Sequence, residues 1–282
     1  MVDIIYKDEI GNRLDISSVQ SYEGIVPFNH FAIKYVIQGK EIYHSQNKSF
    51  NVNSGEFIVG NDLCNSEIVI DSTTKGLCLD ISKELVLEIA KTYFNQPDFI
   101  EYLTTKFFLI EKYDVKNSRL TTYLESLALK LKHENYRVKS AMYFDLAEIF
   151  VFEQANLFKQ ISKLDFKKQE VIKENYRQLK KSKAFINERF LENLNTDQLA
   201  RIALMSKYKF LRLFKKVFEI TPYQYIIEQR LNHAKLLISR GEEISDVAII
   251  TGFADTPSFS KAFKRRFAQP PSQFAKKQYL TI

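Results

Sequence analysis

Two cysteines and four histidines in 282 residues leave little material for metal or redox chemistry. Cys64 and Cys78 form no CxxC pair and have no histidine at metal-binding spacing. They read as small buried side chains in a reducing compartment. His30, His44, His133 and His233 are scattered, and no His-x-His occurs, so neither a metal site nor a cofactor is expected. GxSxG, HExxH and Walker-type phosphate loops are also missing, and no catalytic constellation replaces them. The chain is not expected to be an enzyme. No window approaches the roughly 18 uninterrupted apolar residues of a membrane helix. The N-terminal MVDIIYKDEIGNRLD carries charge where a signal peptide needs an apolar core. The expected location is therefore the cytoplasm, with no membrane partner.

What is present is a soluble composition, 45% hydrophobic and 27% charged, in a chain long enough for two cores. The net charge of +7 is unevenly placed. Residues 1–170 hold 20 Lys+Arg against 24 Asp+Glu, and residues 171–282 hold 21 against 10. All the basic excess lies in the second part. Such asymmetry fits a polyanion-binding module behind a nearly neutral domain, or a solvated basic surface.

Residues 1–80 read as β-structure. HFAIKYVIQG, FNVNSGEFIVG, SEIVIDS and GLCLDIS are short Val/Ile/Phe-rich runs cut by turn residues. Strands spaced this closely, with no helix between them, favour a sandwich or small barrel. From Ser82 the period becomes helical. SRLTTYLESLALKLK places Leu120, Leu124, Leu127 and Leu131 at steps of 4, 3 and 4. That stripe is either cover for the sheet or a dimer interface. SAMYFDLAEIFVFEQANLF is a further strong helix. The charged KQISKLDFKKQEVI marks the boundary, which gives a first domain over 1–160, a linker over 161–172 and a second domain over 173–282.

The second domain is punctuated as helices. Asn195 caps one helix, with Gln198 at N3 of a capping box, and Ser206 caps the next over 207–218. Thr221–Pro222 open a long amphipathic helix with Ile227, Leu231, Ala234 and Ile238 on one face. ISDVAIIT, Gly252 as a left-handed turn residue and a cap at Asp255 then start a second basic helix over 256–267. SKYKFLRLFKKVFEITPYQY (206–225) aligns without a gap on DTPSFSKAFKRRFAQPPSQF (255–274). Each half is a helix-turn-helix unit, at about 195–218 and 244–267.

In each repeated helix, Phe210/Phe214/Phe218 and Phe259/Phe263/Phe267 mark the buried face. The opposite, N-terminal side is free for base edges in a major groove: Lys207, Tyr208, Leu211 and Arg212, then Thr256, Pro257, Ser258 and Lys261. Lys215, Lys216, Lys264, Arg265 and Arg266 lie a turn further on, suited to phosphates. A rigid connector would set the two reading helices about one DNA turn, roughly 34 Å, apart.

LARIALMSKYKFLRLFKK, TPYQYIIEQRLNHAKLLI, ISDVAIITGF and DTPSFSKAFKRRF strongly resemble the AraC-type DNA-binding domain over residues 173–275. The resemblance implies a seven-helix domain whose base contacts fall at Tyr208, Leu211, Arg212, Thr256, Pro257, Ser258 and Lys261. Leu211 and Pro257 offer only apolar contacts, for instance to thymine methyls, which suggests an A/T-tolerant site. The chain departs from the family at Glu219 and Ala268, where glycine is usual, so the left-handed C-caps are expected to be strained, reshaped or absent. Pro270 replaces the usual capping hydroxyl of the last helix.

The N-terminal half resembles the family's cupin-like effector and dimerisation domain, through IKYVIQGKEIYH and FNVNSGEFIVGND. The expected fold class is thus α+β: an N-terminal cupin-like β-barrel or sandwich with following helices, then a C-terminal all-α domain with two helix-turn-helix units. His30, Tyr35 and His44 are the candidate effector-pocket residues. The expected function is sequence-specific binding of double-stranded promoter DNA in transcription regulation, with a small-molecule effector and a homodimer as further partners. RNA polymerase joins them if the output is activation, the family's commoner mode. The alternatives are a cupin-type enzyme, or a purely dimerising or interaction β domain, fused to a nucleic-acid-binding module.

Overall fold

The computed structural model describes residues 2–45, 48–63, 65–105, 108, 111–113, 118–133, 135–164 and 169–279. Two compact units divide the chain, Met1–Lys159 and Gln160–Ile282. Cys64 lies outside the described residues.

The first unit begins with strands β1 (Val2–Lys7), β2 (Arg13–Val19), β3 (Tyr22–Pro27), β4 (Phe31–Gln38), β5 (Lys40–Ser45), β6 (Lys48–Asn53), β7 (Phe57–Asn61), β8 (Asn65–Ile70) and β9 (Thr74–Ile81), with a short β10 (Glu111–Tyr113) later. They pair antiparallel into a six-stranded sheet, β1-β2-β9-β4-β7-β10, and a four-stranded sheet, β3-β8-β5-β6. Period-two alternation puts Ala32 and Val36 of β4 in one core with Phe28, Tyr43, Val52, Ile58, Ile68 and Ile70, drawn from both sheets. The other face of β4 meets further aromatics: the Phe31 ring lies 5.8 Å from Phe108, which follows the second helix, and 5.4 Å from the helical Phe150. The central strand of the large sheet is therefore buried on both sides.

Four helices follow, α1 (Lys83–Tyr93), α2 (Pro97–Thr104), α3 (Arg119–Lys130) and α4 (Ala141–Ser162). The Ser118 hydroxyl caps α3, and Glu153 of α4 accepts from both the Ser118 hydroxyl (2.8 Å) and the Leu120 N–H (3.1 Å). This fixes α3 on α4 and turns its leucine stripe inward. Leu120, Leu124 and Leu127 are 1%, 0% and 3% exposed. They are packed within their own unit, as cover for the sheet requires. Leu131, the C-cap of α3, is half-buried.

The expected linker over 161–172 is helical at both ends. α4 runs to Ser162, and α5 (Gln169–Arg189) starts ahead of residue 173. Lys, Gln and Glu are good helix formers, so a charged stretch without an apolar face still extends its neighbouring helices. The second unit continues with α6 (Thr196–Ile202), α7 (Lys207–Phe218), α8 (Pro222–Ser239), α9 (Ile244–Ile250), α10 (Thr256–Phe267) and α11 (Pro271–Tyr279). Helix α8 serves both halves. Its Tyr225 ring lies 6.2 Å from Phe214 of α7, and its Leu231, Ala234 and Ile238 share a core with Val247, Ala248, Phe259 and Phe263 of α9 and α10. Phe210, Phe214, Phe259 and Phe263 are all 0% exposed. Each contributes about 1.5–3 kcal/mol by leaving water.

Candidate nucleic-acid interface

Four side chains set where the interface helices begin. The Asn195 carboxamide accepts from the Gln198 N–H at 2.9 Å and starts α6. The Ser206 hydroxyl accepts from the Lys209 N–H and starts α7. At α8 both arms of a capping box are made, between Thr221 and Gln224. The Asp255 carboxylate accepts from the Ser258 N–H at 2.6 Å and starts α10. That backbone bond holds the Asp255 pKa below its ordinary value.

With α7 and α10 anchored by their phenylalanines, the opposite faces are open. Tyr208, Leu211, Arg212 and Lys215 stand at i, i+3, i+4 and i+7 on α7, all exposed, and Lys216 is exposed beside them. Pro257, Lys261, Lys264 and Arg265 form the matching exposed stripe on α10, with Ser258 exposed and Thr256 half-buried near its start. Two of the expected contacts are engaged elsewhere. Lys207 pairs with Asp197 of α6 at 2.9 Å, an exposed ion pair worth about 0–1 kcal/mol. Arg266 turns to Glu228 of α8 at 2.9 Å, with its guanidinium 5.4 Å from the Phe267 ring. Three residues after buried Phe263, Arg266 borders the inner face of α10, so it does not share the outer stripe of Lys264 and Arg265.

Both second helices end in the left-handed cap that glycine normally supplies. Glu219 adopts φ 63° and Ala268 φ 60°. A side chain in this region costs about 1–2 kcal/mol. The cap geometry is thus retained and strained, neither reshaped nor lost. Glu219 uses its side chain: its carboxylate meets Lys163 at 2.6 Å. Ala268 has nothing comparable to offer. At the last helix the Pro270 carbonyl accepts from the Gln273 and Phe274 N–H groups, where a capping hydroxyl was expected.

In the first unit, the candidate pocket residues do not converge. His44 is exposed on the outer face of β5, bonded to Ser49 at 2.8 Å. Tyr35 is buried on the helix-facing side of β4, near enough to Glu125 of α3 for that carboxylate to help burial raise its pKa. His30 lies just ahead of β4, its ring against Gly11. The alternation that makes β4 a strand sends Lys34, between Ala32 and Val36, into the sandwich interior instead.

Lys34 is 8% exposed, contacts the Cys78 thiol across the β4–β9 register, and faces Asp80 and Glu41. Burial works against the ammonium, but these neighbours hold its pKa above the ordinary lysine value. Burial raises the Asp80 and Glu41 pKa values against the pull of Lys34. The Tyr43 hydroxyl donates to Glu41 at 2.6 Å, and Asn29 donates to Asp80 at 3.3 Å. This ionic cluster at the centre of an otherwise apolar sandwich was not expected from the sequence.

Two short helices with a tight turn, capped and then repeated on a shared connector helix, define a helix-turn-helix protein. A family model for the helix-turn-helix domain matches residues 199–277. The HTH-type transcriptional regulator YbfI of Bacillus subtilis is 26% identical over 236 residues, spanning 80% of this chain and 79% of its own. The probable transcriptional regulator LumQ of Photobacterium leiognathi is 34% identical over 32% of this chain and 37% of its own. The chain thus spans well under half of LumQ and most of YbfI. Among solved structures, ToxT from Vibrio cholerae matches 94% of this chain and 97% of its own at 15% identity, with a TM-score of 0.39. Residues 199–277 thus carry a helix-turn-helix domain, and the relatives that match it are transcriptional regulators.

Proposed function

We propose that this chain is a sequence-specific DNA-binding transcription regulator whose second unit reads two successive major grooves of double-stranded promoter DNA. The duplicated exposed stripe opposite the phenylalanine frame carries the reading. Lys207, Tyr208, Leu211 and Arg212, with Thr256, Pro257, Ser258 and Lys261, meet base edges. Lys215, Lys216, Lys264 and Arg265 meet phosphates. Lys207 leaves its exposed pair with Asp197 at little cost.

The first unit, in this reading, senses a small molecule. Its support is the buried cluster of Lys34, Glu41, Asp80 and Cys78, because ionic groups at a core centre give little net stability. Effector binding there shifts the population of DNA-competent chains. A homodimer, a contact with RNA polymerase and activation as the output complete the proposal, with the chain acting in the cytoplasm. Among the described residues, no helix is long and apolar enough to cross a membrane.

Selection of DNA from a random library by the full chain, with and without metabolite extract, tests the proposal. The expected result is an enriched site with two separated half-sites. Recovery of unenriched sequence overturns it.

A further inference from the structure

Arg230 lies in the middle of α8, and its side chain reaches both helix-turn-helix repeats. Its Nε–H donates to the Phe190 carbonyl at 2.7 Å, and Nη2 donates to the Glu192 carbonyl at 2.9 Å. Both carbonyls belong to the segment that leads into α6. Its Nη1 donates to the Gly252 carbonyl at 2.8 Å, in the turn between α9 and α10. One planar fork thus ties the entry of the first repeat to the turn of the second, across a helix that belongs to neither.

The surroundings are built for this contact. Gly252 sits at φ 74°, and a Cβ there would stand 2.8 Å from the guanidinium carbon. Glycine meets the backbone requirement and also leaves room for the arginine. The guanidinium is held by three neutral carbonyls and half-buried, so burial lowers its pKa from the ordinary arginine value. A lysine has the charge but not the planar fork that reaches three acceptors at once.

We propose that Arg230 is a positioning residue that fixes the orientation of α7 relative to α10, and so sets the spacing of DNA half-sites that the chain accepts. The inference rests on the two-groove reading above. A rigid link makes the second half-site an intramolecular contact at high effective concentration, and that gain is lost when the geometry loosens.

The test compares the full chain with Arg230→Lys and, from the other side of the contact, Gly252→Ala. Binding is measured to the site selected by the wild-type protein, to that site with either half randomised, and to that site with one base pair inserted between the halves. Both variants are expected to bind single half-sites as wild type does and the full site about tenfold more weakly. They are also expected to lose much of the wild-type penalty for the inserted pair. Full-site affinity and spacing penalty unchanged in both variants overturn the inference. So does an equal loss on half-sites and full sites, which marks a merely structural role. A wild-type protein that selects no two-part site removes the DNA reading itself and takes this inference with it.

Discussion

The two helix-turn-helix repeats share one aromatic frame and differ wherever the chain turns. Phe210 and Phe214 in α7, and Phe259 and Phe263 in α10, occupy equivalent fully buried positions. The first helices are related by 48 residues, Thr196–Ile202 against Ile244–Ile250, and the second helices by 49, Lys207–Phe218 against Thr256–Phe267. The turn of the second repeat is therefore one residue longer. The left-handed turn residue is Leu204 at φ 50° in the first repeat and Gly252 in the second. One residue, Met205, separates Leu204 from its cap at Ser206, whereas Phe253 and Ala254 separate Gly252 from Asp255. The aromatic frame fixes which face of each reading helix is outward. The turns are free to vary because their cost is small beside that of the core.

Truncating the frame gives the largest effect. Phe210→Ala and Phe259→Ala should each destabilise the second unit by about 3–5 kcal/mol in chemical denaturation. A clearly smaller loss at one site would show that its repeat is not built on the shared frame. On DNA, Arg212→Ala and Lys261→Ala should each weaken specific binding by about 1–3 kcal/mol without altering the fold, as titration on the selected site would show. A wild-type affinity in both variants would reject the placement of the reading faces.

The caps should separate the repeats. Asn195→Ala should cost about 1 kcal/mol, whereas Glu243→Asn should gain up to a similar amount, because Glu243 makes no side-chain bond to the start of α9. Thermal melts of the two variants should move in opposite directions. At the left-handed caps, Ala268→Gly should stabilise by about 0.5–1 kcal/mol and Glu219→Gly by less, since the latter also loses the Lys163 pair. Removing Lys163 first should bring the two gains closer together.

Acid should distinguish the repeats most gently. The depressed Asp255 pKa means that its capping contribution is complete above the ordinary carboxylate range and fades as pH falls through the lowered value. The Ser206 cap has no such titration. Amide exchange at Ser258 should therefore quicken in acid relative to Lys209. Equal acceleration at the two sites would contradict the assignment of Asp255.

The repeated phenylalanines, spaced by four, could be read directly because helical periodicity writes burial into sequence. The extra turn residue was invisible, since the gapless match begins at Ser206, past the point where the offset changes. Lys34 was hidden for a different reason. A charged residue between Ile33 and Tyr35 reads as the solvent side of an alternating strand, but β4 is covered on both faces. The Leu120–Leu131 stripe shows that apolar spacing locates a buried face without saying what covers it. Arg230 gives no local signal, because its three acceptors are backbone carbonyls distant in sequence.

The strand order also has a consequence for synthesis. β4 ends at Gln38, and its partners β7 and β9 begin only at Phe57 and Thr74. β2 likewise waits for β9 along one of its edges. A chain emerging N-terminus first at roughly 5–20 residues per second therefore carries its most apolar strand with open edges until β9 has left the ribosome. The helical unit that follows is rich in local contacts and faces no such delay. A nascent chain stalled between Gln38 and Thr74 should bind general chaperones avidly, whereas one stalled after Phe267 should escape them.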